Sequence, residues 1–203
     1  MDTLEAIDKR FSCRYYIDKK VNDNDLLKIL NAAIKAPTAG NLQPWNFIII
    51  NNDNIKEELV KACLNQRWML QAPLFIVICG DSTNPKKFYK KRGELYLIQD
   101  CAVAAENIML AATSLSLKTC CVGAFDTDAV RRILRLPDHV EPFTIITLGY
   151  SKENIPNKKR HSLDTFVYFN EYGNFDAGKE FFPISKHKKE VKTFLDKIKG
   201  GIS

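Results

Sequence analysis

The chain's 203 residues, 45% of them hydrophobic and 27% charged, are enough for one soluble domain with a well-buried core. Its longest apolar runs, such as residues 74–79, are far shorter than the roughly 20 residues that cross a bilayer. The N-terminal region contains Asp2, Glu5 and Arg10 instead of the apolar stretch of a signal peptide. We therefore expect a cytoplasmic protein that does not bind a membrane.

The remaining composition excludes several kinds of site. Six cysteines form no C-x-x-C pair and three histidines have no partner at metal-ligand spacing, so neither a disulfide scaffold nor a zinc site is expected. The net charge is +6, and residues 151–203 hold 11 Lys and Arg against 7 Asp and Glu, which is +4 of that excess. A local positive excess suits an anionic cofactor, a nucleic acid or an anionic surface.

The first elements in chain order are two helices and a loop. Asp2 and Glu5 have the spacing of a capping box, which predicts a short helix ending near Arg10, with Leu4 and Ile7 on its apolar face. The polar residues 22–25 begin a second helix that stops before Pro37.

Two short runs rich in β-branched and aromatic residues, 45–50 and 74–79, predict strands on either side of a helix. A long, Ala-rich helix is expected from about residue 92 to 117, central and buried. One apolar stripe of this helix contains Leu95, Ile98, Ala102, Ala105, Met109 and Ala112.

The last elements complete a sheet that has helices on both faces. A strand at 120–122, a helix capped by Asp126 and a strand at 143–148 follow the long helix. Residues 151–203 have no complete amphipathic pattern of their own. We therefore predict a single domain, 1–203, in which 151–203 is an extension that packs on another surface.

Two segments contain the residues best suited to bind a ligand. Arg10, Ser12 and Arg14 alternate, so an extended backbone would point all three to one side, where guanidinium and hydroxyl groups suit a phosphate. The loop 37–44, rich in Pro, Gly and Asn, places side-chain amides directly before a strand, a common position for ligand contacts. The alternatives are solvated charges at a helix end and a plain turn with Trp45 in the core.

Together the two segments resemble the N-terminal motifs R-x-S-x-[RK] and P-[ST]-x-x-N-x-Q-P-W of the nitroreductase family. Further matches follow in the same order: Asn65 before the second strand, residues 104–112 of the central helix, the strand and turn 119–125, and Lys158-Lys159-Arg160. The resemblance extends from residue 2 to about 173. No dinucleotide-binding or P-loop fingerprint competes with it.

The resemblance implies an α+β fold: a three-layer α-β-α sandwich with a mixed, mostly antiparallel sheet. It also implies a homodimer with FMN at the interface and a C-terminal arm, within 151–203, that is swapped onto the partner subunit.

The resemblance further assigns cofactor contacts by position. Arg10, Lys158 and Arg160 would bind the FMN phosphate, Ser12 the phosphate or ribityl chain, and Arg14 and Asn65 the pyrimidine edge of the ring. The flavin would be contacted from the neighbouring subunit by Thr38, Ala39, Asn41 and Gln43. The backbone amides of Gly123 and Ala124 would lie near flavin N5 and O4. The expected cofactor-binding residues also include four that flank these positions: Phe11, Cys13, Pro37 and Val122.

Three positions depart from the family pattern. Ser116 replaces a usual Gly, Ala39 stands where a hydroxyl is common, and Trp68 stands where some members have Lys. The first two departures imply that one flavin hydrogen bond is missing, and Trp68 leaves the choice between NADH and NADPH open.

The implied function is transfer of hydride from NADH or NADPH, through flavin N5, to a small acceptor such as a nitroaromatic, quinone or enone. The flavin would supply the chemistry, so no catalytic side chain is assigned. The alternatives are a family member that fragments flavin, dehalogenates or desaturates, and a non-catalytic basic module that binds nucleic acid or an anionic surface. Glu190 and Asp196 interrupt the C-terminal lysines and no base-stacking platform is recognisable, so we expect no nucleic-acid partner.

Overall fold

A computed structural model describes residues 1–175 of the chain. The chain divides into two compact units, Met1–Pro156 and Asn157–Ser203. The C-terminal lysines from Lys186 to Lys199, with Glu190 and Asp196 among them, lie outside the described residues. The elements of the first unit are α1 (Thr3–Lys9), α2 (Asp23–Ala33), β1 (Trp45–Ile50), α3 (Asp53–Ala62), β2 (Leu74–Asp81), α4 (Thr83–Tyr89), α5 (Arg92–Ser114), β3 (Lys118–Val122), α6 (Thr127–Leu134) and β4 (Val140–Gly149).

Side-chain caps fix where the helices begin. The Asp2 carboxylate accepts a hydrogen bond from the Glu5 backbone N–H at 2.8 Å, as the capping pattern predicted. Asn22 caps α2, and Asp126 caps α6 by accepting from the Ala129 N–H at 3.0 Å. The predicted helix starts are confirmed because each depends on local chemistry.

The four strands form one antiparallel sheet in the order β1-β2-β4-β3. An isolated parallel bridge between Ser12 and Thr119 adds the segment after α1 to the β3 edge. The sheet is therefore mostly antiparallel, with its parallel pairing at the edge that contains the Arg10–Arg14 segment.

Strand β4 begins at Val140, three residues earlier than the pattern indicated, although it contains Pro142. Proline lacks a backbone N–H and is normally excluded from a central strand. Pro142 lies opposite Cys79, where the register between β2 and β4 shifts. The bulge thus accommodates the proline that made the strand look shorter in the sequence.

Two hydrophobic cores lie on opposite faces of the sheet, which confirms the three-layer sandwich. Ile76 and Ile78 of β2 pack with α2 and α5, while Phe75 and Val77 pack with α3 and α6. The alternation of these neighbours along one strand follows from the two-residue period of a β-strand.

The predictions for two apolar helix faces were wrong. Leu4 and Ile7 of α1 are 75% and 48% exposed, and only Ala6 of that helix is buried. In α5, the predicted stripe mixes two faces: Leu95 and Ile98 are exposed, as is Ala102. The core side of α5 is instead formed by Leu97, Cys101, Ala104, Ala105, Ile108, Met109 and Ala112.

Helix α5 is also long and apolar enough, by length and composition, to cross a bilayer. A buried core helix passes the same test, and α5 packs against α1, α2, α4 and the sheet. The apolar residues on its buried side are therefore accounted for by the fold.

The second unit is described over residues 157–175. It contains a short 3-10 turn, Leu163–Thr165, and a small aromatic group in which the Tyr168 ring lies 4.6 Å from Tyr172 and 5.0 Å from Phe175. Phe166 and Tyr172 are exposed.

Candidate cofactor-binding site

The segment after α1 is extended, as the alternation of its residues predicted. Arg10 ends the helix in an extended conformation, and the Cys13 N–H donates to the Thr119 carbonyl at 2.9 Å. Phe11 and Cys13 are buried, whereas Ser12 and Arg14 are exposed. The hydroxyl and the guanidinium are therefore presented on the same side of the backbone.

Arg10 is held at its position by α5. Its Nε lies 3.7 Å from Oε1 of Glu106, and the two side chains are 22% and 48% exposed. A half-exposed pair at this distance is weak. Glu106 thus orients the guanidinium without satisfying its capacity to bind an anion.

Arg14 lies against an indole ring. Its guanidinium carbon is 5.6 Å from the centroid of Trp68, and its backbone N–H donates to Glu153 at 3.4 Å. A cation over an aromatic face is attracted by the ring quadrupole. Trp68 belongs to the turn Arg67–Gln71, so this contact joins the Arg10–Arg14 segment to the loop that contains Asn65.

The Asn65 loop is held next to the end of β3. Leu64 and Asn65 both have φ of +56°, a left-handed conformation that Asn tolerates better than most residues. The side-chain amide of Gln66 donates to the Ala124 carbonyl at 3.5 Å. The predicted contacts Asn65 and Ala124 therefore lie in neighbouring loops.

The turn after β3 offers open backbone. Val122 is buried and paired with Ile145, and Gly123 and Ala124 are exposed. A Cβ added at Gly123 would meet nothing within 4 Å. A flat ring could approach this backbone closely.

Cys120 lies behind Ser12 and Arg14. Burial raises the pKa of its thiol, although the Arg14 charge and a hydrogen bond with Ser12 oppose that rise. The thiol is therefore neutral at physiological pH, which suits a packing residue and not a nucleophile. Burial likewise raises the pKa of Cys63 to about 11 and of Cys79 and Cys101 to about 12.

The loop before β1 is organised by its own polar groups. The Gln43 N–H donates to the Thr38 hydroxyl at 3.2 Å, and the Gln43 amide donates to Asn41 Oδ1 at 3.2 Å. The Ala39 N–H donates to Asp100 of α5 at 3.1 Å. Asp100 is only 6% exposed, and burial raises the pKa of its carboxyl, opposed by the hydrogen bond from Ala39.

The same loop packs on α4. Gly40 has φ of +58°, and a Cβ there would overlap the Tyr89 hydroxyl. The positive φ favours glycine, and any other residue would also displace the Tyr89 side chain. Residues 38–43 are thus fixed between Asp100 and Tyr89.

The two groups of expected cofactor residues are at opposite edges of the sheet. The Arg10–Arg14 segment pairs with β3, while the loop 38–43 leads into β1. Three strand spacings, about 14 Å, separate β1 from β3, and the Arg10–Arg14 segment lies one spacing beyond β3. One chain therefore does not bring the two groups together, and we refer to each group as a half-site of the expected cofactor site.

The first half-site suits a flavin mononucleotide by the chemistry of its donors. The Arg10 guanidinium and the Ser12 hydroxyl match an anionic tail, and the Arg14 guanidinium, the Asn65 amide and the open backbone at Gly123 match a flat, hydrogen-bonding ring. Lys158 and Arg160 lie in the second unit, where the Arg160 guanidinium donates to the Lys159 carbonyl at 3.1 Å. Within residues 1–175, no group of three or more His, Cys, Asp or Glu is placed to hold a metal ion.

Sequence reasoning did not find several neighbours of these residues. Three contacts are examples: Arg14 with Trp68, Ala39 with Asp100, and Gly40 with Tyr89. Each joins two residues that are 49 to 61 positions apart in the chain. No local pattern marks such pairs.

Comparison with known proteins gives consistent matches. The model of the nitroreductase family matches residues 7–67 and 61–150. A Methanothermobacter thermautotrophicus protein with the provisional name NADH dehydrogenase/NAD(P)H nitroreductase is 37% identical over 158 residues, covering 76% of this chain and 80% of the relative. A Bacillus subtilis protein named FMN reductase (NADPH) is 24% identical over 207 residues, covering 95% and 83%. The crystal structure of a nitroreductase family protein from Clostridium difficile 630 has 33% identity and a TM-score of 0.74, covering 84% of this chain and 99% of that one.

Proposed function

The chain belongs to the nitroreductase family, and on that premise we propose that it is an NAD(P)H-dependent oxidoreductase that uses FMN to reduce a small organic acceptor. The observation that carries the proposal is that three contacts join the segment 10–14, the Asn65 loop and the turn after β3 at one edge of the sheet. These are the Ser12–Thr119 bridge, the Arg14–Trp68 contact and the Gln66–Ala124 hydrogen bond. The name FMN reductase (NADPH), given to a relative that covers 95% of the chain, supports the choice of cofactor and donor.

Bound FMN would accept a hydride from the nicotinamide and deliver two electrons to the acceptor. Arg10 and Ser12 would bind the phosphate end, and the family motif adds Lys158 and Arg160, which stays a prediction. Arg14 and Asn65 would orient the ring at its pyrimidine edge, and the exposed amides after β3 would hold the opposite edge. Arg14 would also supply the positive charge that stabilises the reduced cofactor.

We propose that the functional unit is a homodimer. The loop 38–43 and the Arg10–Arg14 segment are at opposite edges of one sheet, so a second copy would bring the loop of one subunit to the cofactor of the other. The exposed apolar face of α5, with Leu95 and Ile98, and the exposed Leu4 and Ile7 of α1 provide the surface to be covered. The swapped arm within 151–203 and the cytoplasmic location remain predictions.

Several classes of small molecule could accept the electrons. A nitroaromatic, a quinone or an enone would each suit an open flavin site, and a flavin-fragmenting, dehalogenating or desaturating family member remains the alternative. A steady-state screen of these acceptor classes with the FMN-loaded protein separates them. Oxidation of NADH or NADPH that depends on a nitroaromatic or quinone supports the proposal, whereas consumption of FMN itself indicates the alternative.

Cofactor affinity tests the site. Replacement of Arg10 or Arg160 by Ala should each weaken FMN binding by about 1.5 to 3 kcal/mol, the usual scale of a hydrogen bond to a charged group. The matched control is Arg132→Ala, an exposed arginine of α6. An FMN dissociation constant that is unchanged in Arg10→Ala and Arg160→Ala would remove both from the site.

A further inference from the structure

The seven residues 86–92, which we call the basic turn, cover the last residues of α4, the two linking residues Lys90 and Lys91 and the first residue of α5. The basic turn contains five cations in seven residues, and one of its neighbours along the chain is acidic: Glu94, which lies 3.5 Å from Lys86. The five are Lys86, Lys87, Lys90, Lys91 and Arg92, and all are exposed. The next acidic residue towards the N-terminus, Asp81, caps the Thr83 N–H and lies 3.9 Å from His139. The positive charge of this basic turn is therefore largely uncompensated.

The basic turn has a fixed shape. Lys90 has φ of +51° and ψ of −125°, a backbone conformation that favours glycine. Its N–H donates to the Lys86 carbonyl at 3.0 Å, and its carbonyl accepts from the Gly93 N–H at 3.0 Å. A Cβ at Gly93 would overlap the Pro85 carbonyl, so α4 and α5 meet backbone to backbone. A non-glycine residue in this conformation is strained and persists because its surroundings hold it there.

Aromatic rings accompany these charges. Phe88 is 60% exposed, with the Lys87 ammonium 5.7 Å from its ring centroid. Arg92 donates to the Tyr96 hydroxyl at 3.0 Å and lies over that ring. An exposed flat ring among cations can stack on a base while the cations bind phosphates.

The basic turn lies next to the loop that precedes β1. Tyr89, within it, packs its hydroxyl against Gly40, and its ring meets Tyr96 edge to face at 5.0 Å. The loop 38–43 is the one expected to reach the flavin of the partner subunit, so in the proposed dimer the basic turn would lie beside the entrance to that cofactor. An electron donor that places its nicotinamide on the flavin would extend its other half over this surface.

We propose that the basic turn 86–92 binds the adenosine phosphate half of the reduced nicotinamide nucleotide, with Phe88 beside the adenine and the cations beside the phosphates. This rests on the proposed function, because it locates the donor of that same reaction. The chemistry recognised is a purine with a diphosphate, a 2′-phosphate or both.

The test is calorimetric titration of the FMN-loaded protein with ADP and with 2′,5′-ADP at low ionic strength, where surface charges are least screened. Lys87→Glu/Lys91→Glu should raise both dissociation constants about tenfold, equal to about 1.4 kcal/mol. A larger effect on 2′,5′-ADP than on ADP identifies the 2′-phosphate as the group bound. The matched control is Lys20→Glu/Lys28→Glu, two exposed lysines on either side of the start of α2 with the same change of net charge.

Two results would overturn the proposal. Equal weakening in both double variants would show a general field effect, and unchanged affinities in Lys87→Glu/Lys91→Glu would show a solvated surface. Phe88→Ala separates the base from the phosphates, because it should weaken ADP binding while leaving the affinity for pyrophosphate unchanged. An equal loss of affinity for ADP and for pyrophosphate, or no loss for either, would contradict stacking of the adenine on Phe88.

A kinetic arm distinguishes this proposal from the proposed function. Reduced nicotinamide mononucleotide lacks the adenosine half, so its KM for flavin reduction should be the same in wild type and Lys87→Glu/Lys91→Glu, whereas the KM for NADPH should rise. A rise for both donors would contradict the assignment of the basic turn. Failure of every nicotinamide donor to reduce the wild-type flavin would contradict the proposed function, and the ADP titrations would still decide whether the turn binds nucleotides.

Discussion

The guanidinium carbon of Arg14 lies 5.6 Å from the centroid of the Trp68 ring. Two loops that are more than fifty residues apart in the chain are joined by this contact. It sets the position of a cation at the end of the half-site where Asn65 and the open backbone after β3 also lie. Arg14 is therefore expected to act on the electronic state of the bound cofactor more than on its retention.

Replacing Arg14 by Ala should lower the two-electron midpoint potential of the bound FMN. A cation at the pyrimidine edge stabilises the negatively charged reduced ring over the neutral oxidised ring. If the difference is worth at most about 1.5 to 3 kcal/mol, the shift is up to about 30 to 65 mV. Spectroelectrochemical titration of both proteins, fully loaded, measures it. A surface Arg14 would change nothing, and a phosphate-binding Arg14 would change FMN affinity with little change in potential.

Replacing Trp68 by Ala should reproduce part of that shift. The lost cation–π interaction is worth about 0.5 to 1 kcal/mol, so the potential should fall by up to about 10 to 20 mV if all of it is expressed in the reduced state. Trp68→Phe keeps an aromatic face and should retain most of the wild-type potential. In an Arg14→Ala background the Trp68→Ala change should have no further effect. An equal shift in both backgrounds would show that Trp68 acts independently of Arg14.

Asp100 should make stability depend on pH. Burial raises the pKa of its carboxyl above the ordinary 3.8, so the folded chain retains this proton at a pH where the unfolded chain has lost it. The free energy of unfolding of the wild type should therefore fall, relative to Asp100→Asn, as pH rises from about the ordinary pKa through the raised one. The Asn side chain can still accept from Ala39. Urea unfolding over this range, with the exposed Asp18→Asn as control, measures the difference; a flat or rising difference would contradict the account.

Positive charge on the open face of α5 should dissociate the dimer. Leu95→Lys/Ile98→Lys would place two unpaired ammonium groups where apolar surface is expected to be buried. Sedimentation should show a dimeric wild type and a monomeric double variant that has lost FMN affinity. Leu27→Lys, at an exposed position of α2, is the control and should remain dimeric. A flavin-loaded wild-type monomer at micromolar concentration would refute the homodimer.

The parts of the fold that follow from local chemistry could be predicted from sequence. The caps at Asp2 and Asp126 and the bounds of β1 are examples, because each depends on a few adjacent residues. The pattern failed for α5, because apolar periodicity does not tell which apolar face of a helix is buried. Leu95 and Ile98 look like core residues but are exposed, and in the proposed dimer this face would be covered by the second copy.

Other features could not be predicted from the sequence because contacts with residues distant in the chain compensate for a locally unfavourable residue. Pro142 shortened the expected β4, yet a bulge opposite Cys79 accommodates it. Helix α4 was not predicted because its seven residues, with Pro85 near the start and two lysines, have no clear apolar period. The same holds for the candidate site. The alternation of Ser12 and Arg14 is visible in the sequence, whereas the contact between Trp68 and Arg14 is not.

The most direct test of the central claim is anaerobic titration of the FMN-loaded protein with NADPH and with NADH, followed by visible absorbance. We predict that at least one of the two bleaches the flavin absorbance at equimolar addition, and that a quinone or nitroaromatic acceptor then restores it. Bound FMN whose absorbance neither nucleotide changes would contradict the account.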